Sequence, residues 1–479
     1  MGDSNIKNKV GTVYIAIATV FILLGFLYYS ISGEDLIYRD SAGSYNAPEP
    51  NDSVTEIYEG RTFEYFFSAP IQHIRRMDIT WSNYERPCTG TITVEVFNEQ
   101  EKSLVTSESF DSAELYDKAV RTLVFPEGED LYNVPMKLVV RSDCPVSNGG
   151  TILRNVDVND EKNTFFMDGE QLEGTLCVSL TGKDDIWLGK HFWLFFSAGA
   201  CLVIGVLIFS WCRFVRGKRS IIAIFVIAMY KYRFLIKQFV SRDFKTKYKR
   251  SALGILWSFI NPLLTMLVQY IVFSTIFKSD IDNFPSYLLV GVVSMNFFNE
   301  ACGMALTSIL GNANLITKVY MPKYIYPLTR VISSLVNLAI SFIPMIAVCL
   351  FTGVVFTWKS LLGLYFIACL IIFAFGLSLV LSALMVFFRD TQFIWNVISM
   401  IWMYLTPVFY PESILPDEYR FVLIVNPLNY FIKGARSCIL YNASPEPMFY
   451  ILSLLMALAM LAVGAVIFKK SQNKFILYL

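Results

Sequence analysis

The sequence predicts a polytopic α-helical membrane protein with about eight spans, two followed by six, and an extracellular all-β domain between the first two. Of its 479 residues 55% are apolar and only 16% are charged, whereas soluble domains carry about 25% charged residues. Several uncharged runs reach the roughly 20 residues that a helix needs to cross a bilayer core. A long stretch of alternating apolar and polar residues separates the first two runs.

Composition and charge exclude several other classes of protein. The formal net charge is +1, which argues against a strongly basic nucleic-acid binder, and the apolar content argues against a cytosolic enzyme. The chain contains no Gly-x4-Gly-Lys-Ser/Thr phosphate loop. His73 and His191 are the only histidines and lie far apart in the sequence. We therefore expect no catalytic, metal-binding or cofactor-binding residues in this chain.

Eight apolar runs can each cross a bilayer once. They are Val10–Gly33, Phe192–Cys212, Ser251–Phe277, Phe284–Thr317, Val331–Trp358, Ser360–Phe388, Thr391–Pro411 and Pro447–Phe468. No small-residue cleavage site follows the first run, so residues 1–33 are predicted to form a tail and a retained anchor. Residues 191–212 form the second span, and residues 251–479 form the six-span domain.

Lys and Arg residues near the ends of these runs predict the orientation, because positive flanks remain in the cytoplasm. Lys7 and Lys9 precede the first run, and residues 213–250 hold twelve Lys or Arg against one acid, Asp243. We expect both termini in the cytoplasm and residues 34–190 on the outside, extracellular or periplasmic. The protein would then be a multi-pass protein of the cytoplasmic membrane.

Residues 34–190 show the period of two that is typical of half-buried strands. Alternating runs begin at Thr91, Arg121, Met136 and Thr175, and Gly, Pro, Asn and Asp clusters bound them. This pattern predicts an antiparallel sandwich or jelly roll.

The β domain holds an odd number of cysteines, Cys88, Cys144 and Cys177. A disulfide between Cys88 and Cys144 is one interpretation, because both lie at predicted strand ends in polar context. Three unpaired cysteines are the alternative.

Residues 213–250 are basic and amphipathic. From Tyr230 onward, aromatic and apolar residues recur at helical spacing among Lys and Arg, and the segment runs directly into the third apolar run. Such a helix belongs in the headgroup plane of a membrane. It could couple cytoplasmic events to the spans, or it could be a passive anchor.

Five motifs in the second half of the chain resemble a known family. They are Lys245-Thr-Lys-Tyr-Lys-Arg-Ser-Ala-Leu-Gly-Ile-Leu-Trp, Asn314-Leu-Ile-Thr-Lys-Val-Tyr-Met-Pro, Phe388-Arg-Asp, Tyr404-Leu-Thr-Pro-Val-Phe-Tyr-Pro and Asn426-Pro-Leu. In this order and spacing they resemble the permeases of the polysaccharide and teichoic-acid ABC exporters, a group of type-2 ABC permeases that includes the O-antigen exporters. The resemblance covers about residues 230–479, and Met321 departs from the aromatic residue that is usual before Pro322.

The resemblance implies a homodimer that pairs with two copies of a separate ABC ATPase subunit, which binds ATP and Mg. It implies an interface helix at about Ile221–Lys249, with candidate residues Tyr232, Arg233, Phe239, Asp243, Lys247 and Tyr248. It implies an ATPase-coupling helix near Asn312–Pro322, and the candidate coupling residues are Asn312, Asn314, Leu315, Lys318, Tyr320, Pro322, Arg389 and Asp390. Short helices re-entering the outer leaflet would occupy residues 412–442.

A channel for a hydrated glycan would suit aromatic side chains, because rings stack on sugar faces with little directional preference. The candidate lining residues are Trp257, Tyr270, Phe297, Phe298, Glu300, Trp395, Trp402 and Tyr404; ordinary packing or lipid contact is the alternative for each ring. Glu300 and Arg330 are intramembrane charges that are expected to pair with each other or with polar groups at the dimer interface.

Together these features predict the transmembrane subunit of an ABC exporter that moves a lipid-linked cell-surface polysaccharide, of O-antigen or teichoic-acid type, outward. The β domain is a candidate glycan-binding module, in which Trp81, Tyr84, Tyr116 and Tyr132 could stack on sugars or pack in the core. It could instead gate or assemble the exporter. An exporter of lipid, drug or peptide and a receptor that senses a wall ligand are the alternatives.

Overall fold

The computed structural model describes residues 2–41, 49–54, 56–83, 86, 88–126, 128–146, 148–158, 163–218, 220–248, 254–275, 283–318 and 321–478. The chain divides into two compact units. The helical unit comprises Met1–Leu36 and His191–Leu479, and the strand unit comprises Ile37–Lys190.

The strand unit is built from antiparallel strands in two sheets. The strands are β1 (Tyr38–Asp40), β2 (Asp52–Ser53), β3 (Phe63–Phe67), β4 (His73–Ser82), β5 (Thr91–Asn98), β6 (Ser103–Asp111), β7 (Ala119–Val124), β8 (Met136–Ser142), β9 (Thr151–Asn155), β10 (Thr164–Met167), β11 (Glu170–Leu172), β12 (Thr175–Leu176) and β13 (Val178–Asp185). One sheet has the order β1-β13-β4-β9-β12, with β2 on β9 and β7 on β4; the other has the order β11-β10-β3-β8-β5-β6.

The two sheets share one apolar core, as the alternating sequence pattern predicts. On β5, Ile92, Val94 and Val96 point inward and are buried, while the residues between them are partly exposed. They belong to the same cluster of buried side chains as Met77 and Trp81 of β4 in the other sheet. The all-β prediction for this region is therefore confirmed.

The β10–β11 hairpin illustrates how the sequence determines local structure. Met167 pairs with Glu170 across a two-residue loop. Asp168 and Gly169 both have positive φ, 51° and 85°. A tight hairpin of this type requires positive φ at both loop positions, and Asp-Gly is among the sequences that adopt it most readily.

The described helices differ greatly in length, and all but one of them belong to the helical unit. They are α1 (Gly2–Ser32), α2 (Trp187–Lys190, assigned to the strand unit), α3 (Phe192–Val215), α4 (Ile221–Tyr248), α5 (Trp257–Thr275), α6 (Phe284–Leu306), α7 (Ala313–Lys318), α8 (Ile325–Phe351), α9 (Gly363–Phe387), α10 (Thr391–Leu405), α11 (Phe421–Val425), α12 (Pro427–Ile439), α13 (Pro447–Ser471) and α14 (Phe475–Tyr478). Within the described ranges, six helical segments are long and apolar enough to cross a membrane, and they include α1, α3, α6, α8, α9 and α13.

Of the eight predicted spans, those of α5 and α10 are not among these six segments, and the run that contains α6 is longer than its helix. The run Phe284–Thr317 forms helix only as far as Leu306, and its remainder folds into a 3-10 turn and α7. Helix α10 ends at Leu405 because Pro407 follows and disfavours helix at the residue before it. Its 15 residues span about 22 Å, which is less than the bilayer core of roughly 30 Å.

Helices α9 and α13 approach each other most closely at two glycines. A Cβ atom built on Gly376 would lie 2.6 Å from the backbone nitrogen of Leu461, and one built on Gly464 would lie 2.1 Å from the carbonyl oxygen of Gly376. Small residues at such a crossing allow backbones to touch, which is a common way to pack membrane helices.

Candidate functional site

The described part of the connection between α6 and α8, residues 307–318 and 321–324, is compact rather than extended. It begins with a 3-10 turn at Leu310–Asn312 and continues into α7. The buried Asn312 side chain donates a hydrogen bond to the carbonyl oxygen of Ser308 at 2.7 Å. Ile309 and Ile316 are also buried. The predicted coupling helix is therefore an ordered element with a buried side.

The opposite side of this connection is exposed. Gly311, Asn314, Thr317 and Lys318 are exposed, and Leu315 is half-buried. Positions three and four apart share a helix face, so these residues form one polar surface suited to contact with another protein. Pro322 is half-buried, and Tyr320 lies outside the described residues.

Beneath α7 lies an apolar cluster that we call the α7 cluster. Its buried members are Phe239, Ile309, Ile316, Met321, Ile325, Tyr326, Leu379, Ala383, Val386, Phe468 and Phe475. They come from α4, the α6–α8 connection, α8, α9, α13 and α14. Because packed interiors transmit displacement, a movement of α7 would reach all of these helices.

Arg389 and Asp390 lie in the turn between α9 and α10, and both are exposed. The turn follows directly on Phe387, which packs against the α7 cluster. The structure thus attaches this second candidate coupling motif to the same apolar cluster.

An ion pair joins α4 to α8. Asp243 Oδ1 lies 2.7 Å from Arg330 Nη1 and 3.2 Å from Arg242 Nη2, and Asp243 Oδ2 accepts a hydrogen bond from the Ser333 hydroxyl at 3.2 Å. The Asp243 side chain is only 5% exposed. A carboxylate in such a setting needs its partners, since an unpaired buried charge costs about 3–5 kcal/mol.

A second ion pair joins α4 to α6. Glu300 Oε1 accepts hydrogen bonds from Lys247 Nζ and from Asn337 Nδ2 of α8, both at 2.7 Å. Glu300 and Arg330 were expected to pair with each other or at a dimer interface. In the structure each pairs instead with a residue of α4.

The two ion pairs have a common geometry. Asp243 and Lys247 are four residues apart on α4 and share one face of that helix. Arg330, Ser333 and Asn337 likewise share one face of α8. The predicted interface helix is therefore held to both α6 and α8 by buried or half-buried polar contacts.

The other interface-helix candidates occupy different environments. Phe239 is buried, and its ring centroid lies 5.9 Å from that of Tyr326. Tyr232 is half-buried against the α7 cluster, whereas Arg233 is exposed with its guanidinium 4.8 Å above the Tyr230 ring. The Tyr248 side chain lies outside the described residues.

The candidate lining residues separate into two groups. Phe297, Phe298 and Trp395 are buried in the main core of the helical unit, and Trp402 is half-buried against it. Buried rings of this kind pack against neighbouring helices and cannot contact a polymer in this conformation. Trp257, Tyr270 and Tyr404 are exposed at 45%, 37% and 60%, and Glu300 is engaged as described above.

The strand-unit candidates also differ in exposure. Trp81 is fully buried, with its ring 5.5 Å from that of Phe110, so it is a core residue. Tyr116 and Tyr132 are 66% and 54% exposed. Tyr84 lies outside the described residues. Only Tyr116 and Tyr132 of the described candidates can reach a ligand.

The three cysteines of the strand unit are free thiols and are buried, so the structure contains no Cys88–Cys144 disulfide. Burial raises the pKa of the Cys177 thiol to about 11. Burial, and secondarily the neighbouring Cys144, raises the pKa of Cys88. Both groups are therefore protonated at neutral pH.

Two polar residues of the α12 region, Asn426 and Arg436, were given no role from the sequence, although the Asn426-Pro-Leu motif was noted. The Asn426 side chain accepts hydrogen bonds from Trp402 Nε1 at 2.8 Å and from the Leu428 backbone at 3.1 Å. Arg436 is buried and contacts α6 and the segment after α10. A charged residue within an apolar stretch was the available signal for Arg436.

The fold and the contacts described above define the class of protein. The chain is a multi-pass membrane protein in which a short connecting helix, with one exposed polar face, packs on an apolar cluster, and in which two ion pairs join α4 to α6 and α8. A search of the described residues finds no group of three or more His, Cys, Asp or Glu side chains that could hold a metal ion.

Comparison with known proteins identifies the family. Residues 235–440 match the model described as ABC-2 type transporter. Over 202 residues the chain is 33% identical to the O-antigen export system permease protein RfbA of Myxococcus xanthus, covering 42% of this chain and 78% of that protein. A Klebsiella pneumoniae protein of the same name is 29% identical over 243 residues, covering 50% and 93%. The capsule polysaccharide export inner-membrane protein CtrC of Neisseria meningitidis is 24% identical over 201 residues, covering 40% and 74%.

The chain therefore belongs to the ABC-2 type transporter family, and the resemblance seen in its motifs is confirmed. Members of this family are transporter subunits of the inner membrane rather than catalytic enzymes. The family match does not include the strand unit, which lies before residue 235.

Proposed function

We propose that this chain is the transmembrane subunit of an ATP-driven exporter that moves a lipid-linked cell-surface polysaccharide outward across the cytoplasmic membrane. The relatives named for O-antigen and capsule export support this class of substrate. The observation that carries the mechanism is the exposed polar face of α7, which lies on an apolar cluster shared by α4, α8, α9 and α13.

The proposed partners are a second copy of this chain and a separate ABC ATPase. Two copies of the chain form the membrane part, and two copies of a separate ABC ATPase dock on the α7 faces and hold ATP and Mg. ATP-driven movement of α7 passes through the α7 cluster and the two ion pairs to α6 and α8. In this arrangement both termini lie in the cytoplasm and the strand unit lies outside.

The export function can be tested in the cell that makes this protein. Deleting the gene should remove the long polysaccharide from the cell surface while lipid-linked polymer accumulates inside, because synthesis continues without export. Re-expression of the full chain should restore surface polymer. Normal surface polysaccharide in the deletion strain, with loss of a lipid, drug or peptide from the medium instead, would contradict the proposal.

The exposed aromatic residues Trp257, Tyr270 and Tyr404 are the candidates for a path that carries a glycan past the dimer interface. Their exposure on the single chain is what a dimer-lined path requires. Alanine at Tyr404 should slow export of long polymers, and alanine at the equally exposed Phe393 serves as a matched control on the same helix.

We also propose that the strand unit binds the exported glycan through exposed Tyr116 and Tyr132. In a calorimetric titration of the full protein with its own polysaccharide, alanine at both positions should weaken binding by about tenfold or more, because ring stacking on a sugar is lost. Val124→Ala, an exposed apolar change in the same unit, should bind normally. Equal binding by all three proteins would contradict this role.

A gating role for the N-terminal helices is the second candidate, and the contacts of α1 favour it. At one end, Asp35 pairs with Lys359 Nζ at 2.5 Å and accepts a hydrogen bond from the Ser444 backbone at 2.9 Å. At the other end, Lys9 donates to the Tyr230 hydroxyl of α4 at 2.5 Å. The 31 residues of α1 span about 46 Å, so one rigid helix links the interface helix to the α12–α13 connection.

Breaking one of these contacts tests the gating role. Asp35→Asn should alter the ratio of ATP hydrolysed to polymer exported, and the exchanged pair Asp35→Lys with Lys359→Asp should return it toward the normal value. An unchanged ratio in Asp35→Asn would reduce α1 to a passive anchor.

A further inference from the structure

Arg436 of α12 is a buried cation whose partners come from two other parts of the helical unit. It is 4% exposed. Its Nη1 donates to the carbonyl oxygen of Pro407 at 2.6 Å, its Nη2 to that of Val408 at 2.7 Å, and its Nε to that of Tyr287 at 3.1 Å. One side chain therefore binds α12 to α6 and to the segment after α10.

The charge is balanced without a carboxylate among these contacts. Pro407 and Val408 lie just beyond the carboxyl end of α10, where the helix dipole places partial negative charge. The guanidinium carbon also lies 3.5 Å from the centroid of the Tyr287 ring, a close cation–π contact. Carbonyl dipoles and a ring face together stabilise the cation.

A glycine on α6 leaves the space that this guanidinium occupies. A Cβ atom built on Gly291 of α6 would lie only 2.4 Å from Arg436 Nη2. Any larger side chain at position 291 would displace the guanidinium from its carbonyl partners. The Tyr287 hydroxyl adds further contacts to the same segment, donating to the carbonyl oxygens of Tyr410 at 3.0 Å and Pro407 at 3.3 Å.

The other end of α12 is held by Asn426. Its side chain accepts from Trp402 Nε1 at 2.8 Å and donates to the Thr406 hydroxyl at 2.9 Å, so it binds the carboxyl end of α10. It also caps α12 through the Leu428 backbone. Helix α12 is thus fastened at both ends to the α10 segment, and Arg436 adds directed hydrogen bonds to α6.

We propose that Arg436 is a positioning residue for transport, which locks α6, the segment after α10 and α12 into one body that moves as a unit. Replacing a buried charge by an apolar residue is often neutral or stabilising, so what the arginine contributes here is the fixed relation of three segments through three directed bonds. This role rests on the export function proposed above.

Hydrogen exchange on the full chain bound to its ATPase partner tests the lock without using the substrate. Arg436→Lys keeps the positive charge but loses the planar guanidinium that donates the three hydrogen bonds. Gly291→Ala displaces that guanidinium. Both should speed amide exchange in α12 by about tenfold or more. Gly303→Ala serves as the matched control, because a Cβ atom there meets nothing within 4 Å on the same helix.

Export by the same proteins tests the role in transport. Per assembled complex, both variants should export polymer about tenfold to a hundredfold more slowly while hydrolysing ATP normally, because small misplacements of a transport path are amplified. In the double variant, which combines Gly291→Ala with Arg436→Lys, the lysine side chain lacks the guanidinium that clashes at position 291. The loss of export in this variant should therefore not exceed that of Arg436→Lys alone.

Each outcome of these experiments either supports or overturns the proposed role of Arg436. Unchanged exchange in α12, or losses that multiply in the double variant, would show that the lock does not exist. Faster exchange with normal export per complex, or a lower melting temperature as the only change, would make Arg436 purely structural and overturn the proposal. If the unaltered protein exports no polysaccharide, the proposed function fails, and the exchange data still report on the lock.

Discussion

Asp243 and Glu300 hold α4 against α8 and α6 through partners that are far apart in the sequence. Asp243 pairs with Arg330, 87 positions further along the chain and beyond α5, α6 and α7, and Glu300 pairs with Lys247. These residues are adjacent only because the helices pack together. At this scale the contacts fix the interface helix in one register relative to two spans.

Loss of the Asp243–Arg330 pair should destabilise the helical unit measurably. Arg330→Gln leaves the Asp243 carboxylate buried with only the half-exposed Arg242 and a hydroxyl, which should cost about 3 kcal/mol or more. Arg242→Gln is the matched control, since Arg242 is 46% exposed and an exposed pair contributes about 0–1 kcal/mol. Thermal unfolding of the detergent-solubilised protein measures both, and equal midpoints would contradict the assignment.

The strand-unit thiols provide a second residue-scale prediction. Burial raises the pKa of Cys177 to about 11 and also raises that of Cys88, so their reactive thiolates are scarce at neutral pH and form only as the pH rises. Cys144 is also buried, so maleimide at pH 7 should leave Cys88, Cys144 and Cys177 unlabelled in the folded protein. After denaturation without a reductant, mass spectrometry should find all three labelled, whereas a Cys88–Cys144 disulfide would leave only Cys177 labelled.

The sequence indicated which residue types need a partner, but it did not indicate which residues meet in the folded chain. Glu300 and Arg330 were singled out because isolated charges in apolar runs need partners, but sequence spacing does not reveal which helix supplies those partners. For the same reason Trp81 and Phe298 were singled out as aromatic but are buried. Aromatic residue type alone does not distinguish packing from ligand contact.

At the scale of elements, α7 connects the exposed polar face to the α7 cluster. Its two sides differ sharply, since Ile316 is buried and Asn314 and Lys318 are exposed. A helix of six residues is not stable alone, so its packing on the α7 cluster stabilises it.

 Contacts with α4, α8 and α9 therefore determine the direction in which the exposed polar face of α7 points.

Reversing the charge on this face should impair the contact with the ATPase. Lys318→Glu should lower ATP-coupled export by about fivefold or more, because residues that anchor an interface contribute more than 1 kcal/mol each. Lys470→Glu makes the same charge change at an exposed site on α13 and should export normally. Co-purification of the ATPase with each variant measures the contact directly, and equal recovery with Lys318→Glu would show that α7 is not the docking face.

Element boundaries were predictable only where the sequence marks them. Apolar runs located α1, α3, α8, α9 and α13 because each run ends near charged or polar residues. The run that contains α6 continues past Leu306 without a charge until Lys318, so nothing in its hydropathy indicates that the chain turns into α7. Pro407 does mark the end of α10, but the apolar pattern around it concealed that signal.

At the scale of the whole molecule, two units of different composition are joined in one chain. The helical unit contains the family match at residues 235–440, and the strand unit is inserted between α1 and α3. Both fold classes were predictable, because continuous apolar runs and alternating runs are distinct signals. The contacts of α1 were not, since they depend on surfaces that only the folded chain assembles.

The most direct measurement of the central claim reconstitutes the full chain with its ATPase partner in proteoliposomes and records ATP hydrolysis and polysaccharide movement together. For the unaltered protein we expect ATP-dependent movement of lipid-linked polysaccharide. For Asp243→Asn, which weakens the link between α4 and α8, we expect ATP hydrolysis to continue while movement falls by about tenfold. Equal movement with Asp243→Asn, or ATP hydrolysis by the unaltered pair without any polysaccharide movement, would contradict the claim.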